Sequence, residues 1–255
     1  MPVPLRRPPV RDASNKLRQV KTARDDQINY VNLVIKSSRY MCIPVVPLKQ
    51  GETDCTLTCI MMLLAYYGFT LSRDEVARSL QANKQGHIQM VEVSRFFCSL
   101  GFDVDCLSYN LFYFGPHYAK LNPSETIKAL RDERERTDDI WFQERIETTI
   151  KAIEEGVHYL FQRPSKQLIT SYLHKGIPLL VAVNPCALRN EQGNIYVGHD
   201  IVLTGCEEDI VYYIDPLEGI EKTMSFDDLM FSILARKVIE TSGFMVAMKK
   251  NKPRS

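Results

Sequence analysis

No apolar run in the 255 residues approaches the roughly 20 consecutive positions that a membrane-spanning helix needs. Charge of one sign is missing too. Lys and Arg number 32 against 31 Asp and Glu, a net charge of +1, so the chain as a whole carries no bias toward polyanions and no nucleic-acid partner is expected. No Cys-x-x-Cys or His-x-x-x-His pair occurs, which argues against a structural zinc site. A glycine-rich phosphate loop and paired metal carboxylates are likewise absent, and no cofactor is expected. The seven cysteines are odd in number and lack the regular spacing of a disulfide framework. The first residues, Met-Pro-Val-Pro-Leu-Arg-Arg, show no apolar leader segment. The expectation is a reduced, cytoplasmic protein.

What is present begins with apolar content of 45%, enough for a substantial core. Residues 1 to 24 stand apart: seven bases (Arg6, Arg7, Arg11, Lys16, Arg18, Lys21, Arg24) face Asp12 alone, among four prolines. This composition predicts a largely disordered tail, with a linker helix over residues 25 to 38. The tail either contacts an acidic partner or is a solvated leader. The domain proper is expected over residues 39 to 250.

Its centre is residues 50 to 68. A polar loop, Gln50 to Asp54, gives way to Leu57, Cys59, Ile60, Met61, Met62, Leu63, Leu64, Ala65, Tyr66 and Tyr67, with Gly68 as a stop. A helix apolar on every side belongs inside a core. Cys55 sits in its first turn, where the positive end of the helix dipole and the free amides favour a thiolate. The plain alternative is a small buried cysteine.

Further along, Ser72 and Glu75 have capping-box spacing, and a third helix is expected from Met90 to Leu100. Phe102, Val104 and Cys106 alternate with acids, as in a half-buried strand. Residues 109 to 163 look like a helical insertion. Its first helix opens at Asn122-Pro123-Ser124, a second opens near Asp138 or Asp139 and ends before Gly156, and a strand runs from Val157 to Phe161. Ser165 caps another helix. Then come strands at Ile177–Val183, His199–Cys206 and Ile210–Ile214, a helix over Ser225–Leu234, and a last strand at Phe244–Met248.

The two strands around the Glu207-Glu208-Asp209 turn form a hairpin in which paired residues have numbers summing to about 416. That puts Asp215 near Ile201 and makes His199 its diagonal neighbour on one face. A thiol nucleophile needs an imidazole, and the imidazole needs an orienting acid. His199 and Asp215 supply the last two, although a strand-end hydrogen bond of purely structural value would look the same. His87, in a Gly-His loop, is the reserve base. His158 and His174 lie in ordinary helix or strand contexts.

Gln50, Asp54-Cys55, Tyr66-Tyr67-Gly68, Leu100-Gly101-Phe102, Gly176-Ile177-Pro178, Gly198-His199-Asp200-Ile201-Val202-Leu203-Thr204-Gly205 and Asp215-Pro216 follow in an order that resembles the bacteriocin-processing (double-glycine leader) peptidases, a papain-like group. The resemblance spans residues 45 to 108 and 165 to 235. It implies a papain-like α+β fold, with the catalytic helix packed on an antiparallel sheet and a helical insertion. It also implies Cys55 as nucleophile, His199 as base, Asp215 as orienter, and Gln50 with the Cys55 amide as oxyanion donors. The implied function is a cysteine peptidase cleaving a peptide or isopeptide bond of a peptide or protein substrate, without metal or cofactor. The layout also resembles peptidase-like proteins joined to acetyltransferases in bacteria. It is similar, too, to a eukaryotic guanylyl-cyclase-domain family through Asp54-Cys55-Thr56-Leu57-Thr58-Cys59, although no residues here support cyclase chemistry.

Two departures stand out. Thr56 occupies the place of the family's usual glycine, and Lys49 the place of its usual glutamine. Three alternatives accompany the peptidase reading: acyl transfer or deamidation by the same residues, a non-catalytic binding module on this fold, and, against the overall charge balance, nucleic-acid binding through the basic tail of residues 1 to 24.

Overall fold

A computed structural model describes residues 41–80, 88–110, 115–193, 198–235 and 243–250. The chain divides into residues 1–40 and 41–255. The tail and linker helix therefore lie outside the described residues, as does His87.

The second unit is a mixed α+β structure built on one sheet. Its strands are β1 (Met41–Cys42), β2 (Phe102–Ser108), β3 (His158–Phe161), β4 (Leu179–Val183), β5 (His199–Glu207), β6 (Ile210–Asp215), β7 (Ile220–Ser225) and β8 (Met245–Lys250). They run in the order β3-β2-β8-β4-β5-β6-β7, with β1 paired to β5 off this path. Every pairing is antiparallel except β2 with β3. β4 is buried at all five positions, as befits a central strand covered on both faces.

The all-apolar segment forms α1, Cys55–Tyr66. Ile60, Met62 and Leu63 have no exposed surface, and each such side chain contributes about 2 kcal/mol through burial. The helix stops where Gly68 takes φ of 80°, a left-handed conformation open to glycine. There Phe69 N–H donates to the Leu64 carbonyl and Gly68 N–H to that of Ala65, a Schellman ending. The Ser72 capping box starts α2 (Arg73–Ser79). α3 (Met90–Ser99) covers β2.

The insertion forms α4 (Pro123–Arg136), opened by an Asn122 capping box, and α5 (Ile140–Glu154), capped by Asp139. Between them they enclose a second, smaller core of Leu130, Phe142, Ile146, Ile150 and Ile153. α6 (Lys166–Leu173) begins at Ser165. Three elements have no counterpart among the sequence-based expectations: a 3-10 turn at Pro116–Lys120, β7, and the short α7 (Pro185–Arg189) that follows β4. α8 (Phe226–Leu234) closes the set. Among the described residues no helix is long and apolar enough to cross a membrane.

Candidate active site

β5 begins at His199 and β6 ends at Asp215, so an antiparallel pairing brings the two to the same end of the sheet. The observed partners Val202↔Ile214 and Leu203↔Tyr213 each sum to 416, and a register shift occurs only at Leu203/Gly205, toward the turn. His199 Nε2 lies 2.8 Å from Asp215 Oδ1. The pair is sealed from water: His199 is 6% exposed and Asp215 0%.

α1 delivers Cys55 to this end. It is tied to the start of β5 at two points: Thr56 Oγ1 donates to Asp200 Oδ2, and Cys59 Sγ donates to the Asp200 carbonyl at 3.4 Å. Cys55 is half-buried, and its thiol is one of the groups that raise the His199 pKa. With Nε2 committed to Asp215, Nδ1 is the ring nitrogen left for the thiol.

Burial by itself disfavours the imidazolium. The hydrogen bonds of His199 with Asp215 and Cys55, and the charges of both, outweigh it and raise the His199 pKa from 6.5 to about 9. Asp215 shows the complementary balance. Burial raises it, but His199, the Leu217 amide and Arg189 together hold it below the usual carboxylate value. Cys59, one helical turn from Cys55, is different. Burial first, then the negative charges of Asp200, Cys55 and Asp215, push its thiol well above the ordinary value. All seven cysteines are free thiols.

Asp54 precedes α1 without capping it. Its carboxylate accepts from Gly51 N–H at 2.7 Å and pairs with Arg73, which also donates to Thr58 Oγ1 at 2.9 Å. The first-turn amides beside Cys55 thus have no side-chain acceptor from the cap position. Gln50 is fixed by its backbone: its N–H donates to the Pro216 carbonyl at 2.7 Å, next to Asp215. The Gln50 side-chain oxygen is buried and accepts no hydrogen bond from the described residues. Gly219, at φ 69°, lies so close to Lys49 that a Cβ would stand 2.9 Å from its backbone N and Cα. The loop before α1 and the turn after β6 are therefore in contact through a glycine.

The remaining described histidines belong elsewhere. His158 Nδ1 lies 3.1 Å from Asp105 and 3.2 Å from Asp103, a trio spaced as metal ligands would be. Lys249 already supplies a cation there, 2.6 Å from Asp105 Oδ2, and the Tyr172 hydroxyl donates to the same oxygen at 2.7 Å. His174 lies 3.7 Å from Cys206 Sγ, and His117 is exposed.

The geometry thus brings together Cys55, His199 and Asp215, with Gln50 alongside Asp215. Sequence reasoning does not reach Thr56–Asp200, Asp54–Arg73, Gly219 or Arg189. Of these only Gly219 leaves a local signal, a glycine three residues after Pro216.

Comparison with known proteins adds little. No family profile matches the sequence, and no curated protein matches it. Among solved structures the chain is similar to one described as a "putative C39-like peptidase" from Bacillus anthracis. The identity is 13% over 84% of this chain and 100% of that one, with a TM-score of 0.40. A likeness that weak says nothing about the chemistry of this chain.

Proposed function

We propose that this protein is a papain-like thiol hydrolase that cleaves a peptide or isopeptide bond, with Cys55 as nucleophile, His199 as general base and acid, and Asp215 as orienter. One observation carries the reading: a buried imidazole paired with a buried carboxylate at 2.8 Å, its pKa raised in part by the half-buried thiol that starts α1.

In this reading Cys55 Sγ attacks the scissile carbonyl carbon while its proton passes to His199. His199 then protonates the departing amine, leaving an acyl-enzyme thioester. Water, deprotonated by the same ring, adds to the thioester, and Cys55 leaves as the acid product forms. The developing oxyanion is met by the Cys55 backbone amide and by the Gln50 side-chain amide, whose loop is anchored at Pro216. Thr56, in place of glycine, is accommodated because its hydroxyl is consumed by Asp200.

The test is iodoacetamide labelling of Cys55 across pH, located by peptide mapping, in the wild type and in His199→Ala. Labelling that persists below pH 7 and is lost in the variant supports the reading, and a peptide library then identifies the bond cleaved from its new termini. Equal labelling of Cys55 in both proteins would sink the reading.

A further inference from the structure

The two oxygens of Asp215 are used unequally. Oδ1 faces His199 Nε2 at 2.8 Å and accepts from the Leu217 amide at 3.0 Å. Oδ2 is buried and accepts no hydrogen bond from the described residues. The charge facing it is Arg189 Nη2, at 3.7 Å. Arg189 is itself largely withdrawn from water, its side chain 26% exposed, and its Nε is buried without a hydrogen-bond partner among the described residues.

Burying either charge alone would be strongly disfavoured, so the two are placed for each other. The placement is built into the chain. β4 ends at Val183, directly opposite His199. Asn184 then turns the chain by accepting from the Cys186 and Ala187 amides, and the five-residue α7 ends on Arg189. Asn190, at φ 52°, terminates the turn. Arg189 thus reaches Asp215 from the strand that flanks His199.

We propose that Arg189 is a positioning residue for Asp215: its guanidinium is the counter-charge of Oδ2, keeping the carboxylate ionised and turned with Oδ1 toward His199. The catalytic consequence rests on His199 acting as the base, but the electrostatic pairing does not. The other groups around Asp215 do not compete for this role. Tyr213 of β6 is buried with its hydroxyl pushed up to about 12, first by burial and then by Asp215. Cys59 of α1 is held neutral by burial. Asp200 of β5 is held by Thr56, and Glu218 in the turn after β6 pairs with Lys222. Cys55 acts on His199, raising its pKa.

The experiment compares wild type, Arg189→Met and Arg189→Lys by two readouts. The first is the titration of the Asp215 carboxyl carbon by NMR in aspartate-labelled protein, assigned by its loss in Asp215→Asn. Removing an opposite charge at this distance should raise the midpoint by about one unit or more. Lys should recover part of the shift, because it restores the charge without the planar fork. An unmoved midpoint, or a Lys variant as shifted as Met, overturns the proposal.

The second readout is Cys55 labelling from pH 7 down through the range in which the first readout finds Asp215 titrating. The loss in Arg189→Met should deepen toward acid by about tenfold per unit of that shift. It should also add nothing in an Asp215→Asn background. A loss equal at every pH, or one that adds to Asp215→Asn, marks a merely structural arginine and overturns the proposal. Should Arg189→Met fail to fold, Arg189→Gln gives the same comparison. Wild-type Cys55 labelling without dependence on His199 would remove the hydrolase reading, while the carboxyl titration would still decide the role of Arg189.

Discussion

Cys55 and Cys59 lie one turn apart on the same helix in opposite circumstances. Cys59 is fully buried, donates to a main-chain carbonyl and has its thiol raised well above the ordinary value. Cys55 is half-buried beside His199. Mass mapping after brief alkylation should find Cys55 modified and Cys59 untouched until the protein unfolds. Asp215→Asn, which removes the charge facing the imidazolium, is expected to cost roughly 10² to 10⁴ in Cys55-dependent turnover.

The same pair makes stability depend on pH. His199 is raised from 6.5 to about 9, so between those values the folded state holds a proton that the unfolded chain releases. Stability from this group is complete below pH 6.5 and is lost as pH rises through 9. Asp215 acts in the opposite sense: its stabilising share is complete above the ordinary carboxylate value and fades as pH falls toward its lowered one. Urea midpoints measured from pH 6 to 10 should therefore decline, and His199→Gln should flatten the decline. Thr56→Val tests the tie to β5. Loss of a hydrogen bond to a carboxylate should cost about 2 kcal/mol in stability.

Among the elements, the turn after β6 and the loop before α1 depend on each other. Gly219→Ala meets two obstacles, a left-handed φ of 69° and a Cβ 2.9 Å from the Lys49 backbone. It should cost about 1 to 3 kcal/mol in urea unfolding and displace Gln50, slowing turnover more than it slows labelling.

What the sequence reveals at this scale comes from periodicity and punctuation. α1 is legible because its apolar run ends in glycine. The hairpin register is legible because a short turn fixes which residues face one another, and that alone pairs His199 with Asp215. β7 escapes because its burial is slight: Ile220-Glu-Lys-Thr-Met-Ser is an edge strand with only partly covered positions. α7 escapes because five residues carry no period. Arg189 goes with it, since nothing local ties that side chain to Asp215, 26 positions onward. Thr56 reads as a departure because its partner, Asp200, is 144 residues distant.

At the scale of the whole molecule, two cores share one sheet. The α4–α5 core is small and distant in sequence from Cys55. Leu130→Ala, at a position with no exposed surface, should cost about 2 to 5 kcal/mol and leave Cys55 labelling near its original rate. Ile60→Ala, in the main core beside the site, should lower both stability and labelling. Comparing the two variants by denaturation and alkylation would separate the support of the insertion from that of the Cys55 helix.

β8 has a further consequence. It lies between β2 and β4, so among the described residues β3-β2 on one side and β4-β5-β6-β7 on the other meet along the sheet only through it. During synthesis Cys55 emerges early, His199 144 residues later, and the strand that joins the two parts of the sheet later still. A chain ending before Met245 would keep α1 tied to β5 through Asp200, but its sheet would be left in two parts. The sheet would then become continuous in one step, when Met245–Lys250 enters the gap, so one of the latest segments to be made is the one that closes the fold.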